Sequence, residues 1–413
     1  MRVLWFSNSV LSNTECTGSG SWLYGMMSII AGKVDLYNIT SSKVPEITKH
    51  SSKDITEYVI PDYPLQDGIP SNDNISKILG VIAEIQPDII HIWGMERYWA
   101  RLYQRGFITG YPVLLEIQGV LSSLCNTFYG GLFPKEIIST YGFREIVRPW
   151  DRLNRQYARN RERAEDESII LKAFPCISTQ STWTREQISF YASPNCKIHE
   201  TLRPIRQEFY NAEKWNKKRL EAPRIYASVS YNAPFKGLHV LIKAFVLIVE
   251  KYPTAKLTIA GFNPNKPFYK DNGYNRYVKR LIKELKLSHN VEFPGRLSAK
   301  EIISHLLNTD VFVNPSFVES YSAAAAEALY LGVPSVLSYA GAMPNFSEEK
   351  EVALYYSPMD FVDCAAKIVS LFENEEKSFL MSKSSVEQMV HKCSDERVCT
   401  RQLNIYQAVL NSY

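Results

Sequence analysis

The sequence predicts an α/β protein of two units, each a parallel sheet with helices on both faces. Three observations carry this. Short apolar runs alternate with longer amphipathic stretches from end to end, the pattern that strand–helix–strand crossovers require. The alternation breaks once, at Arg203–Pro223, a polar, strand-poor stretch with Pro204 near one end and Pro223 at the other. At roughly 150 residues per domain, the 413 residues amount to two or three domains.

In chain order, Val3–Phe6, Asp88–Trp93, Pro112–Ile117 and Pro175–Ser178 are brief, β-branched or aromatic, and bounded by turn residues, as buried strands are. Helical patterns lie between them at Ser21–Ala31, Asn74–Glu84 and Thr182–Tyr191. A second strand series follows the break: Arg224–Ser228, Lys256–Ala260, Val291–Pro294, Val311–Asn314 and Ser335–Leu337. Its helices are Leu238–Lys251, Tyr274–Leu287, Lys300–Leu307 and Ala323–Leu331. Glu375–Tyr413 reads as helical with no sheet of its own. The expected domains are therefore 1–205, 206–380, and a tail, 381–413, packing back on them. The two α/β domains are expected to face each other across a cleft, with strand C-termini toward ligand.

Composition narrows the class. Hydrophobic residues at 45% and charged residues at 22% are ordinary globular values. With 47 Lys+Arg against 43 Asp+Glu, the net charge of +4 does not mark a nucleic-acid binder, and none is expected as partner. Seven cysteines, an odd count with no C-x-x-C, point to reduced thiols and a cytoplasmic protein. The apolar run in Met1–Phe6 is too short for a signal peptide, and nowhere do about 18 apolar residues run together. Any membrane contact is expected to be peripheral, on the inner face.

Several chemistries are missing. Gly32-Lys33 is followed by Val34, so there is no Walker A sequence. Gly18-Ser19-Gly20 opens like a dinucleotide fingerprint, but Leu23 stands at the third glycine. No H-E-x-x-H, zinc-type Cys/His spacing, D-x-D or G-x-S-x-G occurs. No metal site is expected.

Two stretches carry candidate chemistry. The first is Asn314-Pro315-Ser316-Phe317-Val318-Glu319-Ser320-Tyr321-Ser322, then Ala323–Ala326 and Glu327. A strand ends at Asn314, and a helix of small residues starts near Ser322, where N–H groups can receive phosphate. Glu319 and Glu327 around an anion site would accept hydrogen bonds from sugar hydroxyls. The same residues also suit a plain capped helix, with Ser320 or Ser322 as cap and Glu319 favouring the dipole. The second stretch, Val229–Gly237, joins a strand to the helix at Leu238, and Lys236 at that turn can lay its ammonium on a diphosphate.

These stretches, in this order, resemble the retaining glycosyltransferases of family 4, which have the GT-B fold of two Rossmann-like domains. Glu319 and Glu327 match that family's E-x7-E motif, and Asn314–Ser316 with Glu319–Ser322 its P-S-x-x-E-G-F-G segment. Lys236-Gly237 with Leu241–Phe245 matches K-G-x-x-x-L-I-x-A-F. Phe293-Pro294-Gly295 and Leu331–Pro334 fall where the family has F-x-G and x-G-x-P. The resemblance is strong over 224–375 and weaker but collinear over 1–205. It implies that Lys236, with Ser320, Tyr321, Ser322 and Ala323 at the helix start, holds a nucleotide diphosphate. Glu327 would bind the ribose and Glu319 the donor sugar. Arg296 would lie by the nucleobase, and Gly18 and Gly20 by the diphosphate. The implied donor is a nucleotide sugar, with no cofactor or metal, and the acceptor a glycan or lipid-linked glycan.

Tyr231 stands where the family usually has arginine, and Gln118 where it has a histidine. Gln118 can hydrogen-bond a hydroxyl but cannot carry a proton. His91 ends a strand and suits a structural as well as a catalytic place. The candidate catalytic set is thus Glu319, Gln118 and His91. A catalytically silent glycan-binding subunit and a nucleotide-sugar epimerase of the same fold are the competing readings. Finally, Arg148, Arg152, Arg155 and Arg159 recur at helical spacing beside Trp150, Leu153 and Tyr157. This stripe suits an anionic membrane or a lipid diphosphate, or a solvated face paired with Glu162 and Glu165.

Overall fold

A computed structural model describes residues 1–12, 21–216, 222–229, 232–261, 271–347 and 349–413. The chain forms two compact units: residues 1–120 with 165–204 and 392–413, and residues 121–164 with 205–391.

The first unit is built on eight strands: β1 (Arg2–Phe6), β2 (Asp35–Ser42), β3 (Thr48–Ser51), β4 (Thr56–Pro61), β5 (Ile89–Trp93), β6 (Val113–Glu116), β7 (Cys176–Thr179) and β8 (Lys197–Glu200). Their order is β3-β4-β2-β1-β5-β6-β7-β8, parallel except for the β3–β4 pair. The central strands β1, β5 and β6 are almost wholly buried because helices cover both faces, which is why they read as unbroken apolar runs. Strands β2–β4 and β8, being mixed in polarity, escape that pattern. The Asn72–Ile85 helix follows the expected period, burying Ile75, Ile78, Ile82 and Ile85. The final helix, Asp395–Leu410, buries Val398, Ile405, Tyr406 and Val409, and Trp5 Nε1 donates to Tyr406 Oη at 2.9 Å.

The second unit has six parallel strands: β9 (Arg224–Ser228), β10 (Lys256–Ala260), β11 (Val291–Gly295), β12 (Val311–Asn314), β13 (Ser335–Ser338) and β14 (Leu354–Tyr356), in the order β11-β10-β9-β12-β13-β14. The Leu238–Lys251 helix packs Leu241, Ala244, Phe245 and Ile248 onto this sheet's core. Strand order reverses between β9 and β12, and ligands of open α/β sheets bind outside the strand C-termini at such a reversal. The loops following β9 and β12 are the ones that carry Lys236 and Glu319. No helix among the described residues is long and apolar enough to cross a membrane.

Candidate functional site

After β9 the chain reaches a single 3-10 turn, Pro234–Lys236, then Gly237 in the left-handed region at φ +69°. A Cβ on Gly237 would collide with the Pro315 carbonyl oxygen of the loop after β12. Glycine therefore permits both the turn and the close approach of the two loops. The loops are also joined by Phe317 N–H donating to Phe235 O at 2.7 Å. Held this way, Lys236 Nζ lies 2.7 Å from Glu319 Oε1, which also accepts from Ser316 Oγ at 2.7 Å. The two side chains keep 20% and 14% of their surface exposed, so the ion pair remains reachable.

Polar side chains order the rest of the loop. Asn314 Oδ1 accepts from Ser316 N–H at 3.0 Å, and Asn314 Nδ2 donates to Ser322 Oγ at 2.9 Å. Ser322 Oγ in turn accepts from Ala325 N–H at 3.2 Å, capping the Ala323–Leu331 helix. Gly341, at φ +57°, lets its segment lie against the Glu319 main chain, and Ala342 N–H donates to Glu319 O at 2.7 Å. Ala323 is exposed, leaving the helix start open to an anion, whereas Ser320 is buried and Tyr321 packs near Phe346. Ser322 thus does cap the helix, while Glu319 faces Lys236 rather than serving the dipole alone.

Glu327 is buried one and a half turns into this helix. Both of its oxygens accept from Arg206, from Nε and Nη2 at 2.6 Å each. Burial pushes the carboxyl up from its ordinary pKa, and the paired guanidinium opposes the shift. Arg206 also lies 5.0 Å from the Phe209 ring centre. In sequence, Arg206 lies in the polar, strand-poor stretch Arg203–Pro223 between the two strand series. A single arginine in a polar stretch carries no periodic or motif signal tying it to a carboxylate 121 positions away.

Arg296 is exposed just past β11, the edge strand two places from β9. Gly18, Gly20 and Tyr231 lie outside the described residues. In the first unit, Gln118 is half-buried after β6 and donates from Nε2 to Trp93 O at 3.0 Å. His91 is completely buried within β5, with its ring centroid 3.9 Å from that of Trp93 and Nδ1 3.0 Å from Tyr406 Oη. Burial holds its pKa well below the ordinary histidine value. A neutral imidazole with no exposed surface cannot touch a substrate, so the geometry gives His91 the structural place, not the catalytic one. Glu57 is a feature the sequence did not announce. Buried in β4, it accepts from Leu11 N–H at 2.8 Å, Ser12 N–H at 3.0 Å and Asn38 Nδ2 at 2.7 Å, fixing the loop after β1.

The four-arginine stripe is not one helical face. The helix runs Leu153–Ala173, so Arg148 and Arg152 precede it. Arg152 Nε donates to Glu145 O at 2.9 Å and Arg159 Nη1 to Trp150 O at 2.7 Å, while Leu153 is buried.

Residues 210–387 match the family model described as glycosyl transferases group 1. A curated relative, the uncharacterized glycosyltransferase YqgM of Bacillus subtilis, is 25% identical over 60% of this chain and 65% of its own. This chain spans between 38% and 65% of the first three curated relatives it matches. Among solved structures, sucrose-phosphate synthase from Thermosynechococcus elongatus is similar at TM-score 0.75 and 15% identity, covering 100% of both chains. Anabaena HepE in complex with UDP and glucose is similar at TM-score 0.68 and 13% identity, over 99% of this chain and 100% of that one. These likenesses establish the fold of the whole chain as that of the GT-B glycosyltransferases, and they mark its second unit as matching glycosyl transferases group 1.

Proposed function

We propose that this chain is a retaining glycosyltransferase of family 4. It moves a sugar from a nucleotide-sugar donor to a glycan or lipid-linked acceptor without a metal ion. The observation that carries the reading is the reachable Lys236–Glu319 pair at the strand-order reversal, inside the segment that matches a glycosyltransferase family. A diphosphate arriving there meets the Lys236 ammonium and the start of the Ala323–Leu331 helix, which together offset its charge. Glu319, released from Lys236, is free to take donor-sugar hydroxyls. Glu327 keeps further lone pairs for the ribose while Arg206 holds its orientation. The leaving phosphate takes the proton of the acceptor hydroxyl, and Gln118 of the first unit has an amide that can hydrogen-bond an acceptor sugar.

Uridine diphosphate sugars are the first donors to test, since the structurally similar HepE is a UDP complex. Nucleotide release and sugar transfer are measured across a panel of nucleotide sugars, with and without EDTA. One donor should be turned over at the same rate under chelation. Loss of turnover on chelation removes the metal-free mechanism. A folded protein that binds no nucleotide and turns over no donor supports the silent glycan-binding reading, which Gln118, lacking a transferable proton, favours.

A further inference from the structure

Six large apolar side chains of the second unit stand in water within one short stretch: Phe133, Ile138, Phe143, Ile146, Val147 and Trp150 are each 57–66% exposed. Single exposed apolar residues are ordinary, but four within the eight residues 143–150, in a helix and the turn that packs on it, mark an interaction surface. The stretch is anchored. Glu145, in the short Phe143–Val147 helix, is 1% exposed and ion-paired with Arg276, and it accepts from Gly142 N–H at 3.0 Å. Phe143 and Val147 lie one turn apart and each two residues from Glu145, on the opposite side of that helix. The inward ion pair therefore turns the apolar side outward.

The charges along this stretch, up to the mixed run that begins at Arg161, are one-sided. Phe133–Arg159 holds six basic residues, Lys135, Arg144, Arg148, Arg152, Arg155 and Arg159, and three acidic ones. All three acids are occupied within the unit. Glu136 accepts from Tyr277 Oη at 2.7 Å and pairs with Lys243 at 3.2 Å, Glu145 holds Arg276, and Asp151 pairs with Arg144 at 3.0 Å. Lys135, Arg148, Arg155 and Arg159 are exposed. An apolar face with a tryptophan and a basic rim complements a surface that is apolar inside and anionic outside. A second copy of the chain does not fit, because a twofold contact sets the same patch against itself and brings the basic rims together.

We propose that the face formed by Phe143, Ile146, Val147 and Trp150 docks on an anionic lipid surface. The apolar side chains enter the headgroup boundary, and Arg148 and Arg155 meet lipid phosphates. Arg152 and Arg159 of the original stripe contribute less, since they donate to the main-chain carbonyls of Glu145 and Trp150. The proposal stands on this face alone and does not require the sugar-transfer reading.

The test is sedimentation of the full chain with phosphatidylcholine vesicles, with and without about one third phosphatidylglycerol, at low salt. The wild type should sediment with the anionic vesicles and not with the neutral ones. Phe143→Ser with Val147→Ser, and separately Arg148→Glu with Arg155→Glu, should each lower partitioning by roughly tenfold or more. Both variants change exposed side chains, so their melting temperatures should match the wild type. A wild type that stays in solution, binds neutral vesicles equally well, or binds undiminished in either folded variant overturns the proposal. So does a wild-type dimer that ignores vesicles and is dispersed by the Phe143→Ser, Val147→Ser variant, for the face then serves self-association.

Discussion

Arg203 and Arg206 stand three residues apart on either side of the boundary between the two units, and each faces a buried carboxylate of its own unit. Arg206 grips both oxygens of Glu327 at 2.6 Å. Arg203 lies 3.6 Å from Glu116 Oε1 and spreads its guanidinium over the Trp22 ring at 3.6 Å, while Ser178 Oγ donates to the other oxygen of Glu116. Burial pushes both carboxyls up from their ordinary pKa. The pairs look alike in sequence and differ in setting. Glu116 ends a strand and is closed in by its neighbours, so it braces the sheet. Glu327 sits in the helix whose first residue is exposed and which follows the loop of the half-buried Glu319. Burial with a directional partner is enough to brace a fold; the ligand role proposed for Glu327 needs, besides, neighbouring groups that stay reachable.

The largest expected effect breaks the tighter pair. Glu327→Gln leaves the Arg206 guanidinium without its anion and should cost about 3 kcal/mol or more of stability. For a unit of this size that lowers the melting temperature by about 6–12 °C. Nucleoside diphosphate affinity should fall with it. Glu116→Gln, which loses a looser contact, should cost about 1–2 kcal/mol and leave nucleotide affinity unchanged. Thermal unfolding and calorimetry of both variants check this. Equal losses of stability and nucleotide affinity in the two would erase the distinction between bracing and binding.

A pH dependence sharpens the contrast within the second unit. His239 is buried, with Nε2 2.9 Å from Gly130 O and Nδ1 2.8 Å from Tyr274 Oη. Burial first, then Lys243, brings its pKa down from 6.5 to about 4. Between those values the unfolded chain binds a proton that the folded chain refuses. Stability from this site is therefore complete above pH 6.5 and falls as pH drops toward about 4, below which the loss is constant. The loss by pH 5 is about 2 kcal/mol. His239→Gln keeps a donor for Gly130 O and cannot titrate, so its stability curve should be flatter by that amount. An unchanged slope in denaturant titrations at pH 5 and 7 removes His239 as the cause.

The central strands and their helices were legible because residues buried on both sides give continuous apolar runs with turn residues at the ends. Strands β2–β4, β8 and β14 were not, because mixed polarity in Leu36–Ser42 and Lys197–Glu200 and the brevity of Leu354–Tyr356 erase the period. In the site, Lys236, Glu319 and Glu327 were legible from their places after strands and at a helix start. Arg206 was not, because its pairing is long-range. Nor was the burial of His91, whose imidazole gives no sequence sign of the Trp5, Trp93 and Tyr406 rings around it. The arginine stripe misled for a related reason: spacing is blind to the Pro149–Asp151 turn that delays the helix to Leu153.

The smallest effects compare the two units at their half-buried polar groups, Glu319 in the second and Gln118 in the first. Glu319→Ala removes a charged acceptor 2.7 Å from Lys236 and should lower turnover by roughly tenfold, about 1.5 kcal/mol. Nucleoside diphosphate affinity should stay nearly unchanged, since a contact that orients the reacting sugar costs rate more than ground-state binding. Gln118→Ala gives up a neutral hydrogen bond to Trp93 O, about 1 kcal/mol, and should raise the acceptor KM a few-fold with the donor KM intact. Steady-state kinetics with each substrate varied in turn separates the cases. If Gln118→Ala lowers turnover more than Glu319→Ala does, the proposed role of Glu319 in orienting the reacting sugar is removed.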